Sequence, residues 1–343
     1  MDLDQTLRIL REAKGDPARI SLASVDLLLA EHPESAREKL RAALQVAAIP
    51  HWFDEKTLEV LLDGPLAAEV QLIASQLRRL PVVEPFPARG TGAANVHETS
   101  RLALRSWMKG ESPDRLAALS ERAKIYFDGK APHLRIEALY HGFTVHPEAA
   151  EQECATLYDE WNSMGRYEEL LGLGVVLDEL LAAGLPGGAV RSSVIYQLAN
   201  IRYNYQPRSV TADQASEALA EAKRSRVLWR IAIANILLGN VLRDQGDLTG
   251  ALEAYRASLA IAQRLAAQDP ANADWQRNLS VSQDGVGNVL RDQGDLTGGL
   301  EAYRANLATR QRLAAQDPAN AEWQRDLSVS QDNVASVLRD QGD

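Results

Sequence analysis

The 343-residue sequence predicts a mainly helical protein that ends in an α-solenoid of helical hairpins with a 48-residue period. Three observations carry this. The stretch 242–289 recurs at 290–337 with 9 changes in 48 positions, and a third copy begins at Leu338. Self-similarity at a fixed period of tens of residues marks a stacked array, in which each unit buries its apolar face against its neighbours. Composition agrees, since 45% hydrophobic residues with 6% aromatics, rich in Ala and Leu, favours helix.

The elements follow from punctuation along the chain. Helices are expected over 3–13, ended by Gly15-Asp16-Pro17, over 18–31, ended before Pro33, and over 35–48, ended before Pro50. Asp54 caps a short helix to Leu62, and Pro65 opens another that runs to Leu80. The proline-punctuated run 81–87 and the stretch 94–97 flank Gly90-Thr91-Gly92 and predict a two-stranded hairpin, followed by a helix over 98–108. Further helices are expected over 114–127, 134–143, 148–164, 166–181, 189–205, 212–224 and 227–245. Gly184-Leu185-Pro186-Gly187-Gly188 is the clearest break and a candidate hinge, and a continuous right-handed solenoid is expected from about residue 148. Within the repeat, Asp247 and Asp295 are N-caps, Asp269-Pro270 ends one helix and Gly294 ends the next in a tight turn.

The repeat residues Gly239, Leu242, Gly246, Ala251 and Tyr255, and again Gly287, Leu290, Gly294, Gly299 and Tyr303, resemble the tetratricopeptide repeat signature of small residue, large apolar residue, turn glycine, alanine and aromatic. The period is longer than the family's roughly 34 residues, and Gly299 replaces the close-packing alanine. Stopping at Asp343 is expected to leave Val334, Val337 and Leu338 without cover on one side.

Helices, hairpin and helix over 1–110 follow the order of a winged-helix domain. DNA readout by the helix after Pro65 is disfavoured, because LAAEVQLIASQLRRL offers Arg78 and Arg79 at one end and almost no polar base-readers. The stretch 20–62, LRRLPVVEP and NVHETSRLAL resemble instead the region that follows the nucleotide-binding domain in STAND-class ATPases, the NB-ARC and NACHT-like proteins. Val96-His97-Glu98 stands where that class carries Met-His-Asp, so the resemblance implies a nucleotide-sensing role for His97; read alone, His97 is a hydrogen-bonded residue at a strand-to-helix junction. A phosphate-binding G-x-x-x-x-G-K-[ST] loop is missing: Gly129-Lys130 is followed by Ala131, with Lys124 at the first glycine position. Four parts result: a helical arm and winged-helix-like domain over 1–110, a connector over 111–147, degenerate repeats over 148–225 and repeats over 226–343, the last incomplete.

A net charge of −10 argues against a nucleic-acid partner. The single cysteine, Cys154, excludes an internal disulfide framework, and its acidic neighbours Glu151, Glu153 and Asp159 would raise the thiol pKa. The N-terminus lacks the pattern of a signal peptide, and no apolar run reaches membrane-spanning length, so a cytoplasmic location without a membrane is expected. No G-x-S-x-G or H-E-x-x-H occurs, so neither catalysis nor a cofactor is expected. His141 and His146 are expected to be solvent-exposed or capping.

The first helices of the pairs repeat Asn240, Arg243 and Asp244 as Asn288, Arg291 and Asp292 and as Ser336, Arg339 and Asp340. An Arg and Asn ladder can hold carboxylates or peptide backbone; neighbouring Arg and Asp can equally pair with each other along the array. The expected function is a regulatory or sensing module that binds a protein or small ligand, coupled to a nucleotide-binding domain in cis or trans, or a free-standing adaptor for peptide segments.

Overall fold

The computed structural model describes residues 15–129, 131–205 and 212–342, so the helix expected over 3–13 lies outside the described residues. Contacts fall into two units divided between Pro186 and Gly187, within the Gly-Pro-Gly break. The helices of 147–182 therefore lie with the N-terminal unit rather than with the repeats. Among the described residues no helix is long and apolar enough to cross a membrane.

The first unit opens with α1 (Pro17–Ala30), whose start is set by Asp16 accepting from Ala18 N and Arg19 N. After α2 (Glu34–Ala47), Asp54 Oδ1 accepts from Thr57 N at 2.8 Å and starts α3 (Glu55–Leu61). The single helix expected from Pro65 to Leu80 is instead two, α4 (Gly64–Ala67) and α5 (Val70–Leu77). Glu69, at φ −113° and ψ 22°, leaves the helical region, and its carboxylate receives Lys39 Nζ from α2 at 2.9 Å. Restarting there buries Val70, Ile73, Ala74 and Leu77, so packing overrides a run of good helix formers.

Strands β1 (Val83–Pro85) and β2 (Ala94–Val96) pair antiparallel with Val83 opposite Val96, and Ala94 also exchanges both backbone bonds with Phe53. The hairpin is thereby stitched to the loop between α2 and α3. Then come α6 (Glu98–Glu111), α7 (Pro113–Tyr126), α8 (Pro132–Val145), α9 (Pro147–Ser163) and α10 (Tyr167–Ala182). Proline in the first turn of α7, α8 and α9 presets the helical φ where no hydrogen bond is lost. Leu44, Ile49, Phe53, Leu58, Leu61, Leu77 and Phe127 are buried in one core that joins helices and hairpin.

The second unit contains α11 (Gly188–Tyr205), α12 (Ala212–Ser225), α13 (Leu228–Asp244), α14 (Leu248–Gln268), α15 (Ala273–Asp292), α16 (Leu296–Gln316) and α17 (Ala321–Gln341), each packed on the next. Equivalent residues of the two sequence copies make the same caps. Asp247 and Asp295 accept from Gly250 N and Gly298 N at 2.9 Å, and Asn272 and Asn320 accept from Trp275 N and Trp323 N at 3.1 Å. Gly246 and Gly294 both take φ +84° in the turn that joins the helices of a pair.

The Tyr255 ring explains two further glycines. A Cβ on Gly239 of α13 would stand 3.0 Å from the ring, and one on Gly285 of α15 would stand 2.3 Å from it, so the ring is held between two helices that must lack side chains there. At the last helix the expectation of uncovered valines is corrected. Val337 is fully buried, and Val334 and Leu338 pack with it against Leu300 and Tyr303 of α16. The open side of α17 carries Ser328, Val329, Gln331 and Ala335 instead.

Candidate interaction surface

The structure gives most residues of the predicted ladder an intramolecular partner. Arg243 Nε donates to Asp292 Oδ2 at 2.7 Å, tying α13 to α15. Asp244 accepts from Tyr203 OH of α11 at 2.7 Å. Asn240 and Asn288 accept through Oδ1 from the hydroxyls of Tyr255 and Tyr303, the latter at 2.7 Å. The asparagines thus orient the ring of the next helix. Arg291 and Arg339 differ: among the described residues neither guanidinium has an ion pair or side-chain hydrogen bond, although Arg291 is half-buried and Arg339 exposed. Asp284 of α15 receives Asn333 Nδ2 of α17 at 3.0 Å, and burial raises its pKa against the pull of Arg310.

His97 sits at the junction of β2 and α6. Its backbone N–H donates to Val82 O at 2.8 Å, its carbonyl accepts the first bond of α6, and its exposed ring meets Thr99 Oγ1 through Nδ1 at 3.0 Å. The residues of the ladder all belong to the second unit and His97 to the first.

Sequence reasoning missed a buried polar cluster in the first unit. His51, in the α2–α3 loop, faces Glu137 Oε2 of α8 through Nδ1 at 2.9 Å and Glu179 Oε2 of α10 through Nε2 at 3.2 Å. Its backbone N–H donates to Glu137 Oε1 at 2.9 Å. Arg101 of α6 makes a two-pronged pair with Glu179, and Tyr140 OH donates to the same carboxylate at 2.5 Å. Arg105 lies over the Tyr140 ring, 4.5 Å from its centroid, and donates to Ile49 O at 2.6 Å. Both ring nitrogens of His51 face carboxylate oxygens, an arrangement that favours the imidazolium: burial and the charge of Arg101 push its pKa down, but Glu137 and Glu179 outweigh them and raise it. The same contacts hold Glu137 and Glu179 well below the usual carboxylate range against the opposing effect of burial.

His141 is not solvent-exposed as expected but fully buried, stacked 6.1 Å from Phe127 at 14°. Its Nε2 stands 3.3 Å from Glu137 Oε1 and its Nδ1 has no hydrogen-bonding partner; burial pushes its pKa down to about 4 against the upward pull of Glu137. His146 is exposed, stands at the N-cap position of α9 without a side-chain capping bond, and its Nε2 lies 2.9 Å from Glu121 Oε2. Cys154 is buried, and burial followed by the charges of Glu151 and Glu153 pushes its thiol up to about 12, which makes it a poor nucleophile. Among the described residues no group of three or more His, Cys, Asp or Glu side chains is arranged to hold a metal ion.

The geometry defines a helical repeat module with a polar face on its first helices. The tetratricopeptide repeat family matches residues 237–270, which take in the end of α13 and all of α14. No curated protein matches the chain. The chain thus carries a tetratricopeptide repeat, a helical hairpin generally used for protein–protein interaction, in a mainly helical fold.

Proposed function

We propose that the chain is a non-enzymatic interaction module whose repeat array, of 48-residue period, binds an extended segment of a partner protein along α13, α15 and α17. One contrast carries this reading. Arg243 is ion-paired with Asp292, while its counterpart Arg291 is half-buried without a counter-ion. A guanidinium held partly out of water gains most from a carboxylate that meets its N–H fork. The repeat-family match supports binding as the role of this unit, and Arg339, one repeat further on, offers a second contact of the same kind. The partner segment is accordingly an extended peptide bearing carboxylates. The test is binding of such a peptide to the chain and to an Arg291→Ala, Arg339→Ala variant.

A second reading makes the chain the regulatory arm of a STAND-class ATPase. It is supported by helices leading into the hairpin and α6 in the order of a winged helix, and by the exposed ring of His97 at the position of that class's histidine motif. Its test is nucleotide-dependent binding of a P-loop ATPase, lost on His97→Ala.

A further inference from the structure

Apart from the buried polar cluster, the first unit holds a cavity of about 330 Å³ lined from α7, the turn after it, α8 and α9. That volume lies at the small end of the range for ligand pockets, about 300–1,000 Å³. Ile125, Ala138, Leu139 and Ala149 give it an apolar wall, and Ile125 is 65% exposed although it is a large apolar residue in mid-helix.

Three charged side chains in the same wall lack partners. Among the described residues Lys124, Asp128 and Glu153 make no ion pair or side-chain hydrogen bond. The groups that would otherwise satisfy or compete with them are engaged elsewhere. Glu121, one turn back along α7, faces His146 at 2.9 Å. Arg135, the other cation of the wall, donates through Nη1 to both oxygens of Glu160 at 2.8 Å, with its guanidinium over the Trp161 ring. The half-buried stem of Lys124 lies along Gly142 of α8, where a Cβ would stand 3.8 Å from Cε and 3.3 Å from Ala150 Cβ. Glycine at 142 thus lets α9 and the lysine stem close onto α8.

We propose that this cavity binds a free α-amino acid with an apolar side chain. Lys124 donates to its carboxylate, Asp128 and Glu153 accept from its ammonium, and Ile125, Ala138 and Leu139 take its side chain out of water. The balance of unpaired charge decides the class. One free cation beside two free carboxylates suits a zwitterion, since a simple anion would meet two like charges and a simple amine would leave Lys124 unpaired next to a second cation. A charge-assisted hydrogen bond at each end fixes the orientation of the ligand. All of these residues belong to the first unit, and none to the Arg and Asn ladder of the second.

The test titrates the full chain by calorimetry with leucine, with isocaproate, which lacks the ammonium, and with isoamylamine, which lacks the carboxylate. Leucine is expected to bind saturably and about tenfold or more tightly than either, the worth of one hydrogen bond to a charged group. Lys124→Gln is expected to weaken leucine about tenfold without weakening isoamylamine, and Asp128→Asn with Glu153→Gln to weaken leucine without weakening isocaproate. Ala149→Trp, at an exposed position on the cavity wall and with its fold checked by circular dichroism, is expected to abolish binding by filling the space. No saturable binding of leucine, equal binding of the three compounds, or leucine binding left unchanged by any of these variants overturns the proposal.

Discussion

Arg243 and Asp292 join the first helices of two successive repeat pairs through one hydrogen-bonded ion pair of 2.7 Å. The equivalent residues of the next step, Arg291 and Asp340, form no such pair among the described residues, so near-identical sequence yields one closed and one open step. Both side chains of the closed pair are about a third exposed, at 33% and 30%. Solvent then screens most of its Coulomb energy. Asp292→Asn is expected to cost about 0.2–1 kcal/mol in urea unfolding, and less at high salt.

Glycine at 285 is a packing requirement rather than a turn. Gly285→Ala would gain up to about 1 kcal/mol of helix propensity, but its Cβ would lie 2.3 Å from Tyr255 Cδ1. Overpacking of that kind costs about 1–3 kcal/mol and wins. The expected result is net destabilisation, while Gly110→Ala in α6, which meets nothing within 4 Å, stabilises by a few tenths to about 1 kcal/mol. Paired denaturation curves compare the two directly.

His51, partly buried, and His141, fully buried, should give stability a pH optimum near the ordinary imidazole value. The raised pKa of His51 means that its contribution is full below about 6.5 and is lost as pH rises through its folded value. His141, pushed down to about 4, acts in the opposite sense: its contribution is full above about 6.5 and is lost as pH falls towards 4, on the order of 3 kcal/mol in all. Thermal unfolding between pH 5 and 8.5 is expected to lose its alkaline slope in His51→Gln and much of its acid slope in His141→Phe. Because Nδ1 of His141 has no partner and Nε2 makes only a long 3.3 Å approach to Glu137, His141→Phe should cost little at neutral pH.

Asn306 is fully buried and two-handed, donating to Ser280 O and accepting the hydroxyl of Ser330. Asn306→Ala removes the partner of the buried Ser330 hydroxyl and a second donor to Ser280 O, and is expected to cost about 1–3 kcal/mol. Asn306→Ser, which restores the residue of the other copy, keeps a partner for Ser330 and is expected to cost less. A chemical-denaturation series on the full chain decides the order.

How much of this was legible follows from where each signal resides. The helices of both units were readable because their ends are local: Asp54, Asp247 and Asp295 cap where short-range rules place caps, and prolines open α7, α8 and α9. The break at Glu69 was not readable, since it depends on which residues reach the core and on Lys39 thirty positions away. The buried cluster was also invisible, because His51, Arg101, Glu137 and Glu179 come from four separate segments with no spacing to betray them. One trace existed: Arg101 and Arg105 sit four apart on the same helix face as Leu104 and Met108, where an unpaired charge would be too costly to bury. The rungs of the ladder follow from the repeat register, but which of them meets a neighbour depends on residues far along the chain, Tyr203 for Asp244, Tyr255 for Asn240 and Asp292 for Arg243.

The most direct measurement of the central claim is calorimetric titration of the full chain with an extended, glutamate-bearing peptide, repeated with Arg291→Ala, Arg339→Ala and at raised salt. The account predicts saturable binding that the double variant weakens about tenfold or more, as the loss of charge-assisted hydrogen bonds requires, and that salt also weakens. Binding unchanged by the double variant, or none at all, would contradict it.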